Sequence, residues 1–113
     1  SDLLTPWETI ERRLALAAEA DLVLCLYNPR SRHRPEALRR ACEIVLERRP
    51  ARTPCGLAWN IGREGERTAL LTLGALRDNE EADMFTTAFI GNSKTRILDG
   101  HLVTPRGYLQ RED

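Results

Sequence analysis

The sequence has neither an excess of charge of one sign nor a long apolar run. Its 113 residues carry 17 Lys and Arg against 17 Asp and Glu, a formal net charge of zero, whereas general nucleic-acid binders usually carry a marked basic excess. No stretch approaches the roughly 20 apolar residues that a membrane span needs, and the first residues show no signal-peptide pattern. We therefore expect a cytoplasmic protein that binds neither nucleic acid nor membrane.

Cysteine and histidine are also scarce. The three cysteines, Cys25, Cys42 and Cys55, form no CxxC pair, and His33 and His101 are isolated from each other. This spacing predicts buried, reduced thiols and no metal site. A chain of 113 residues with 42% hydrophobic content is long enough to bury the core of one compact domain without disulfide or metal support.

Two helices are predicted from capping signals and apolar periodicity. Thr5, Pro6 and Glu8 are typical of a helix start, with Thr5 at the N-cap and Pro6 in the first helical position. The apolar residues that follow recur on one face, which predicts an amphipathic helix. The second helix is predicted over about residues 34–49 and ends at Pro50.

Strands account for most of the remaining apolar segments. The continuous run 22–26 predicts a buried, central strand, and if residues 54–60 pair with it in parallel, the two strands and the helix between them form a βαβ unit. Further strands are predicted over 67–73 and 85–90, and Asp99–Gly100 predicts a type I′ hairpin turn near the end of the chain. The predicted fold class is α/β, with a mixed β-sheet flanked by helices.

Polar residues and glycines follow three of the predicted strands. The segments are LYNPRS at 26–31, NIGREGE at 60–66 and IGNSKTR at 90–96. Ligands of open α/β sheets bind at the carboxyl ends of strands, and glycine lets the backbone approach a ligand closely. We therefore predict a ligand site at these strand exits.

Together with Thr104–Pro105–Arg106–Gly107–Tyr108, these segments resemble the C-terminal half of the precorrin-3B C17-methyltransferases of cobalamin biosynthesis, over about residues 2–108. The resemblance implies that residues 1–113 are the C-terminal domain of a two-domain tetrapyrrole methylase whose N-terminal domain has no counterpart here. It implies that the complete enzyme uses S-adenosylmethionine to methylate C17 and contracts the macrocycle to precorrin-4. The fragment alone is expected to be inactive, and the enzyme to be a homodimer.

The resemblance also implies particular contacts to S-adenosylmethionine. Asn28 and the segment formed by Asn60, Ile61 and Gly62 are the expected contribution of this domain to the cofactor pocket, and Gly91 is a third candidate. Asparagine and glycine are also the residues that tight turns require. The alternative is therefore that these residues only make turns.

Arginine residues are concentrated just after the first strand exit. Arg30 and Arg32 lie in the predicted loop, and guanidinium groups bind carboxylates such as the acetate and propionate groups of a precorrin substrate. The alternative is a solvated helix start, and it is strengthened because cations at a helix N-terminus oppose the macrodipole, which counts against a functional cluster there. In the second exit, the alternating charges of residues 63–67 predict an ion-pair cluster within the loop. No pattern identifies a general base, so the catalytic residues are unassigned.

Two other functions stay open on the sequence. A different tetrapyrrole methylase, such as the cobalt-factor III enzyme of the anaerobic pathway, would share the fold and methyl donor but act on a cobalt-loaded substrate. Alternatively, the isolated chain is a non-catalytic dimerisation module. A glycine-rich βα domain encoded immediately before Ser1 would favour an enzyme over the module.

Overall fold

Three helices and six strands form the part of the chain that the structure, a computed structural model, describes: residues 5–27 and 36–106. In chain order they are α1 (Trp7–Glu19), β1 (Leu24–Tyr27), α2 (Ala37–Leu46), β2 (Pro54–Trp59), β3 (Arg67–Thr72), α3 (Leu73–Arg77), β4 (Thr86–Ile90), β5 (Arg96–Leu98) and β6 (His101–Val103). Helix α1 begins one residue later than expected, because Pro6 and not Thr5 occupies its N-cap.

The main sheet has four strands in the order β1-β4-β2-β3, and every neighbouring pair is antiparallel. Ile90 of β4 lies opposite Leu24 of β1 on one side and Cys55 of β2 on the other. Strands β1 and β2 therefore run in the same direction, and β3 and β4 run in the opposite one. The prediction of a sheet flanked by helices is confirmed. Direct parallel pairing of the first two strands is wrong, because β4 lies between them.

Strand β1 lies at the edge of this sheet, so its predicted central position is also wrong. Its side chains alternate: Leu24 is buried and Leu26 half-buried, whereas Cys25 and Tyr27 are exposed. A continuous apolar run predicts a strand covered on both faces. Here the described helices cover only one face, so the residues that point the other way stay accessible.

The core lies between that face of the sheet and a single layer of helices. Its buried side chains come from all three helices and from β1, β2 and β4, and the largest fully buried ones include Leu38, Leu57, Leu73, Leu76 and Ile90. Each Leu or Ile buried in this way stabilises the fold by about 1.5–3 kcal/mol relative to leaving it exposed.

Two of the three cysteines belong to this core. Burial raises the pKa of the Cys42 thiol to about 12 and that of the Cys55 thiol to about 11, so both are protonated and unreactive at neutral pH. All three thiols are free. The expectation of burial is confirmed for Cys42 and Cys55 and wrong for Cys25, which lies on the open face of the edge strand.

Helices α1 and α2 run side by side in the same direction. Arg40 pairs with Glu11 at 3.1 Å between Nε and Oε2, and Arg48 pairs with Glu19 at 3.7 Å about two helical turns later. Strand β1 is the next element after α1, and β2 is the next element after α2. Each of these strands runs in the direction opposite to that of the helix before it. The N-termini of α1 and α2 therefore lie at the end of the sheet where β1 and β2 finish, which we call the exit end.

The hairpin of β5 and β6 forms a separate two-stranded sheet. Asp99 and Gly100 have φ of 50° and 75°, the positive values that a type I′ turn requires at both central positions, so the predicted turn is confirmed. Leu102 of the hairpin lies 3.7 Å from where a Cβ of Gly56 would be. The hairpin thus lies against the open face of the sheet.

One buried guanidinium joins the elements at the end opposite the exit end. Arg49 is only 7% exposed, and it donates from Nη1 to the carbonyl oxygen of Gly91 at 2.7 Å. Its Nη2 donates to the carbonyl oxygens of Ala17 and Ala18 at the end of α1 and to that of Leu22 just before β1. A single side chain therefore satisfies backbone acceptors from α1, from the start of β1 and from the end of β4.

We predict that Arg49→Leu lowers the free energy of unfolding by about 2–4 kcal/mol, because buried carbonyls lose their donor. Urea denaturation with an unchanged m-value measures the change. The control is Arg52→Leu, an exposed arginine three positions on without a hydrogen bond or ion pair in the described structure. It is expected to cost less than about 0.5 kcal/mol. Equal losses in the two variants would contradict a specific role for Arg49.

Candidate functional site

A cleft of about 260 Å³ opens at the exit end of the sheet. It lies where β1 and β2 finish and where β4 begins. Among the described residues its walls are formed by Tyr27, Asn60, Ile61, Arg63, Met84, Phe85, Thr86 and Thr87. We call this site the exit cleft.

The loop after β2 forms one wall of the cleft through a tight turn. The backbone N–H of Asn60 donates to the carbonyl oxygen of Phe85 at 3.1 Å, and the N–H of Arg63 donates to that of Asn60 at 2.9 Å. Asn60, Gly62 and Gly65 have φ of 55°, 73° and 84°, a left-handed conformation that only Gly and, less often, Asn adopt readily. The predicted turn-making role of Asn60 and Gly62 is therefore confirmed, and it brings Arg63 back towards the cleft.

Two arginines, Arg63 in this loop and Arg67 at the start of β3, lie on aromatic rings. The guanidinium carbon of Arg63 is 4.4 Å from the centroid of Phe85, and that of Arg67 is 3.8 Å from the centroid of Trp59. Arg67 also lies 4.0 Å from a carboxylate oxygen of Glu81. Cation–π contacts of this kind are worth roughly 0.5–1 kcal/mol at exposed sites.

The expected ion-pair cluster within residues 63–67 does not form among the described side chains. Neither Glu64 nor Glu66 pairs with an arginine of the loop, and the carboxylate nearest Arg67 belongs to Glu81. Both glutamates are exposed, and exposed pairs gain little over hydration by water. Arg63 and Arg67 therefore lie on aromatic rings and do not pair with these two glutamates.

Several large apolar side chains around the cleft are open to solvent. Tyr27 is 77% exposed, Ile61 and Met84 are each 52% exposed, and Phe85 is 46% exposed. A hydrogen bond with Cys25 raises the pKa of the Tyr27 phenol, which is therefore neutral at physiological pH. An apolar group of this kind at one end of a domain is typical of a surface that another domain or a ligand covers.

The structure brings together only some of the residues predicted from the sequence. Asn60 and Ile61 line the exit cleft, and Gly62 lies in the same turn, where no neighbouring atom lies within 4 Å of the place that a Cβ would occupy. Asn28 follows Tyr27 in the sequence but lies outside the described residues. Arg30 and Arg32 lie outside them as well.

Gly91 is at the other end of the sheet. Strand β4 is antiparallel to β1 and β2, so its end is about 17 Å from its start at the usual rise per residue. A Cβ on Gly91 would lie 2.6 Å from the carbonyl oxygen of Pro54 and 2.7 Å from Cβ of Thr95. Close packing therefore requires this glycine, and the expectation that it borders the same surface as Asn60 is wrong.

Met84, Phe85, Thr86 and Thr87 belong to the cleft but were not predicted from the sequence. Ligand residues of open α/β sheets are expected after strands, whereas these four precede or begin a strand. An antiparallel strand places its start beside the exits of its neighbours. The one available signal is the polar segment 79–83 before an apolar strand, where Asp83 accepts hydrogen bonds from Phe85 N–H and Thr86 Oγ1.

A second, larger depression of about 710 Å³ lies at the opposite end and is lined by Arg48, Arg49, Arg52 and Arg96 among others. Arg48 pairs with Glu19 and Glu47. Arg49 and Arg96 donate to backbone carbonyls. Most of these cations therefore serve the fold, and the exit cleft is the better candidate for a ligand site.

Neither a metal centre nor a membrane segment is found in the described residues. No group of three or more His, Cys, Asp or Glu side chains there is placed to hold a metal ion. None of the helices in residues 5–27 and 36–106 has the length and apolar character needed to cross a membrane.

Comparison with known proteins finds close relatives for almost the whole chain. It is 47% identical over 108 residues to the "Probable cobalt-factor III C(17)-methyltransferase" of Salmonella typhimurium, covering 96% of this chain and 44% of the relative. It is 46% identical over 113 residues to the "Precorrin-3B C(17)-methyltransferase" of a Sinorhizobium species, again covering 96% and 44%. A comparison with models of protein families finds no match.

The fold has a solved counterpart in a structure described as "Crystal structure of the methyltransferase CobJ". The TM-score is 0.81 at 34% identity, over 93% of this chain and 44% of that one. The chain thus spans less than half the length of these relatives. Over 96% of its residues it is homologous to proteins named cobalt-factor III and precorrin-3B C17-methyltransferases.

Proposed function

We propose that this chain is the C-terminal domain of an S-adenosylmethionine-dependent C17-methyltransferase of cobalamin biosynthesis. The observation that carries the proposal is the identity of 46–47% to two enzymes named for C17 methylation, over 96% of this chain. An N-terminal domain of the same enzyme would supply the rest of the active site, since the chain covers only 44% of either relative.

The exit cleft supports this two-domain arrangement. Its volume of about 260 Å³ is below the range of roughly 300–1,000 Å³ in which small-molecule sites are usually found. The cleft is thus large enough for part of a nucleoside-sized ligand, and its apolar rim is exposed. Both features are expected of one wall of a site whose other wall is a second domain.

S-adenosylmethionine, when bound, supplies a methyl group on a sulfonium that is already a good leaving group. The residues of this chain therefore have mainly to bind and orient, because a near-attack arrangement supplies most of the rate in such a displacement. We propose that Asn28, Asn60, Ile61 and Gly62 contact the donor. The open turn at Gly62 would allow its backbone to approach the donor closely. We assign no general base to this chain.

The proposed acceptor is the tetrapyrrole precorrin-3B, with cobalt-factor III as the alternative. Identities of 47% and 46% to enzymes named for the two substrates do not separate them. Ring contraction to precorrin-4 is part of the proposal only because the resemblance to the family implies it. A cytoplasmic location likewise remains a prediction of the sequence.

The first test is methyl transfer by the full-length enzyme from S-adenosylmethionine to precorrin-3B and, separately, to cobalt-factor III. We expect transfer to one of them and none by the 113-residue chain alone. Calorimetry should show that the chain alone binds the donor at least a hundredfold more weakly than the full-length enzyme does. Losing about 3 kcal/mol of contacts with the missing wall has that effect on Kd. Sub-micromolar affinity of the isolated chain would contradict the two-wall site.

A second test concerns Arg30 and Arg32, which we propose bind carboxylates of the tetrapyrrole. Replacing both with Glu in the full-length enzyme should raise KM for the tetrapyrrole in a salt-dependent way and leave donor affinity nearly unchanged. The matched control reverses the charge of Arg52 and Arg96, both exposed at the opposite end of the sheet. If both double variants show the same KM, the loop at 30–32 is only a solvated surface.

We propose that the enzyme is a homodimer, and the third test concerns self-association of the isolated chain, in which the surface that we assign to the second domain is uncovered. Tyr27, Ile61, Met84 and Phe85 form an exposed apolar group, and symmetric two-fold pairs are the commonest way to cover such a surface. Light scattering on the isolated chain should show a dimer that weakens when Ile61 and Met84 are both replaced by Ser. A monomer at high micromolar concentration would contradict this expectation.

A further inference from the structure

Arg63 is the only charged side chain among the described residues that line the exit cleft. The other lining residues are polar but uncharged, or apolar. No carboxylate of the described chain lies within ion-pair distance of Arg63, and its guanidinium lies over the ring of Phe85, at 4.4 Å. The cleft therefore carries a positive charge that no carboxylate of residues 5–27 and 36–106 neutralises.

The contact with Phe85 also restricts how this charge is presented. A guanidinium over an aromatic face keeps its N–H groups in its own plane and directed outward from the rim of the ring. The backbone hydrogen bond from Arg63 to Asn60, at 2.9 Å, fixes the start of the side chain in the same turn. Less side-chain freedom is thus lost when a ligand binds than for a freely rotating arginine.

Arg67 shows how the same residue type is arranged outside the exit cleft. It lies over Trp59 at 3.8 Å, has a carboxylate oxygen of Glu81 within 4.0 Å and does not line the cleft. The two arginines are four positions apart, Arg63 in the loop after β2 and Arg67 at the start of β3. The difference between them is that Arg67 has an anionic partner in the domain, whereas Arg63 has none among the described residues.

We propose that Arg63 binds a carboxylate of the ligand in the exit cleft and so positions that ligand for methyl transfer. This inference rests on the proposed function. A guanidinium edge binds a carboxylate through two parallel hydrogen bonds, and the apolar side chains of Ile61 and Met84 line the same cleft. Two carboxylate sources fit: the amino-acid end of S-adenosylmethionine and an acetate or propionate group of the tetrapyrrole.

The experiment compares Arg63→Gln with Arg67→Gln in the full-length enzyme. Calorimetry without tetrapyrrole gives Kd for S-adenosylmethionine, and steady-state kinetics at saturating donor give KM for the tetrapyrrole. Loss of a charge-assisted carboxylate contact should raise one of the two constants about ten- to a hundredfold in Arg63→Gln. A rise in Kd assigns the carboxylate to the donor, and a rise in KM alone assigns it to the tetrapyrrole. In Arg67→Gln both constants should change less than about threefold.

Arg63→Lys separates charge from geometry. Lysine keeps the positive charge but lacks the planar fork, so it should restore only part of the lost affinity, and its effect should shrink with added salt. If Arg63→Gln leaves both constants unchanged, or if the two Gln variants weaken binding equally, the proposal is overturned. If the unmodified enzyme neither binds the donor nor methylates a tetrapyrrole, the proposed function fails instead.

Discussion

The fold depends on the guanidinium of Arg49, which is buried at the end of the sheet opposite the cleft. It satisfies carbonyl groups from α1, from the approach to β1 and from Gly91 after β4. Gly91 is far from α1 and β1 in sequence, and without Arg49 its buried carbonyl would lose this donor, at a cost of about 1–3 kcal/mol. Burial lowers the pKa of Arg49, yet an arginine remains charged at neutral pH. This end is thereby fixed, and the exit end remains available for a ligand.

Fixing β4 between β1 and β2 determines which residues meet at the exit end. Because β4 runs against its neighbours, its first residues, and not Gly91, lie beside Asn60. Phe85 thereby becomes both the backbone acceptor for Asn60 and the surface on which Arg63 lies. The composition of the cleft is thus a consequence of strand order, and so is the single unneutralised charge that its described residues carry.

The two ends of the domain differ in how their polar groups are used. At the Arg49 end, arginines are occupied by backbone carbonyls and glutamates, and Asp21 accepts hydrogen bonds from Ser93 that lower its pKa. At the exit end, apolar side chains are exposed and Arg63 has no anionic partner in the described chain. An exposed apolar surface with an unpaired cation is typical of a binding surface. A second domain and a polycarboxylate ligand would cover it.

The sequence by itself determined α1 and α2, the strands, the type I′ turn at Asp99–Gly100 and the turn at Asn60–Gly62, because local periodicity and the φ preferences of Gly and Asn set these features within a few residues. It also carried the family resemblance through LYNPRS, NIGREGE and IGNSKTR. Only the tertiary structure decided that β1 is an edge strand, that Gly91 lies away from the cleft and that Arg63 faces Phe85 instead of a glutamate. Those outcomes follow from the order and direction of strands, which depend on contacts between distant segments that a local pattern does not encode.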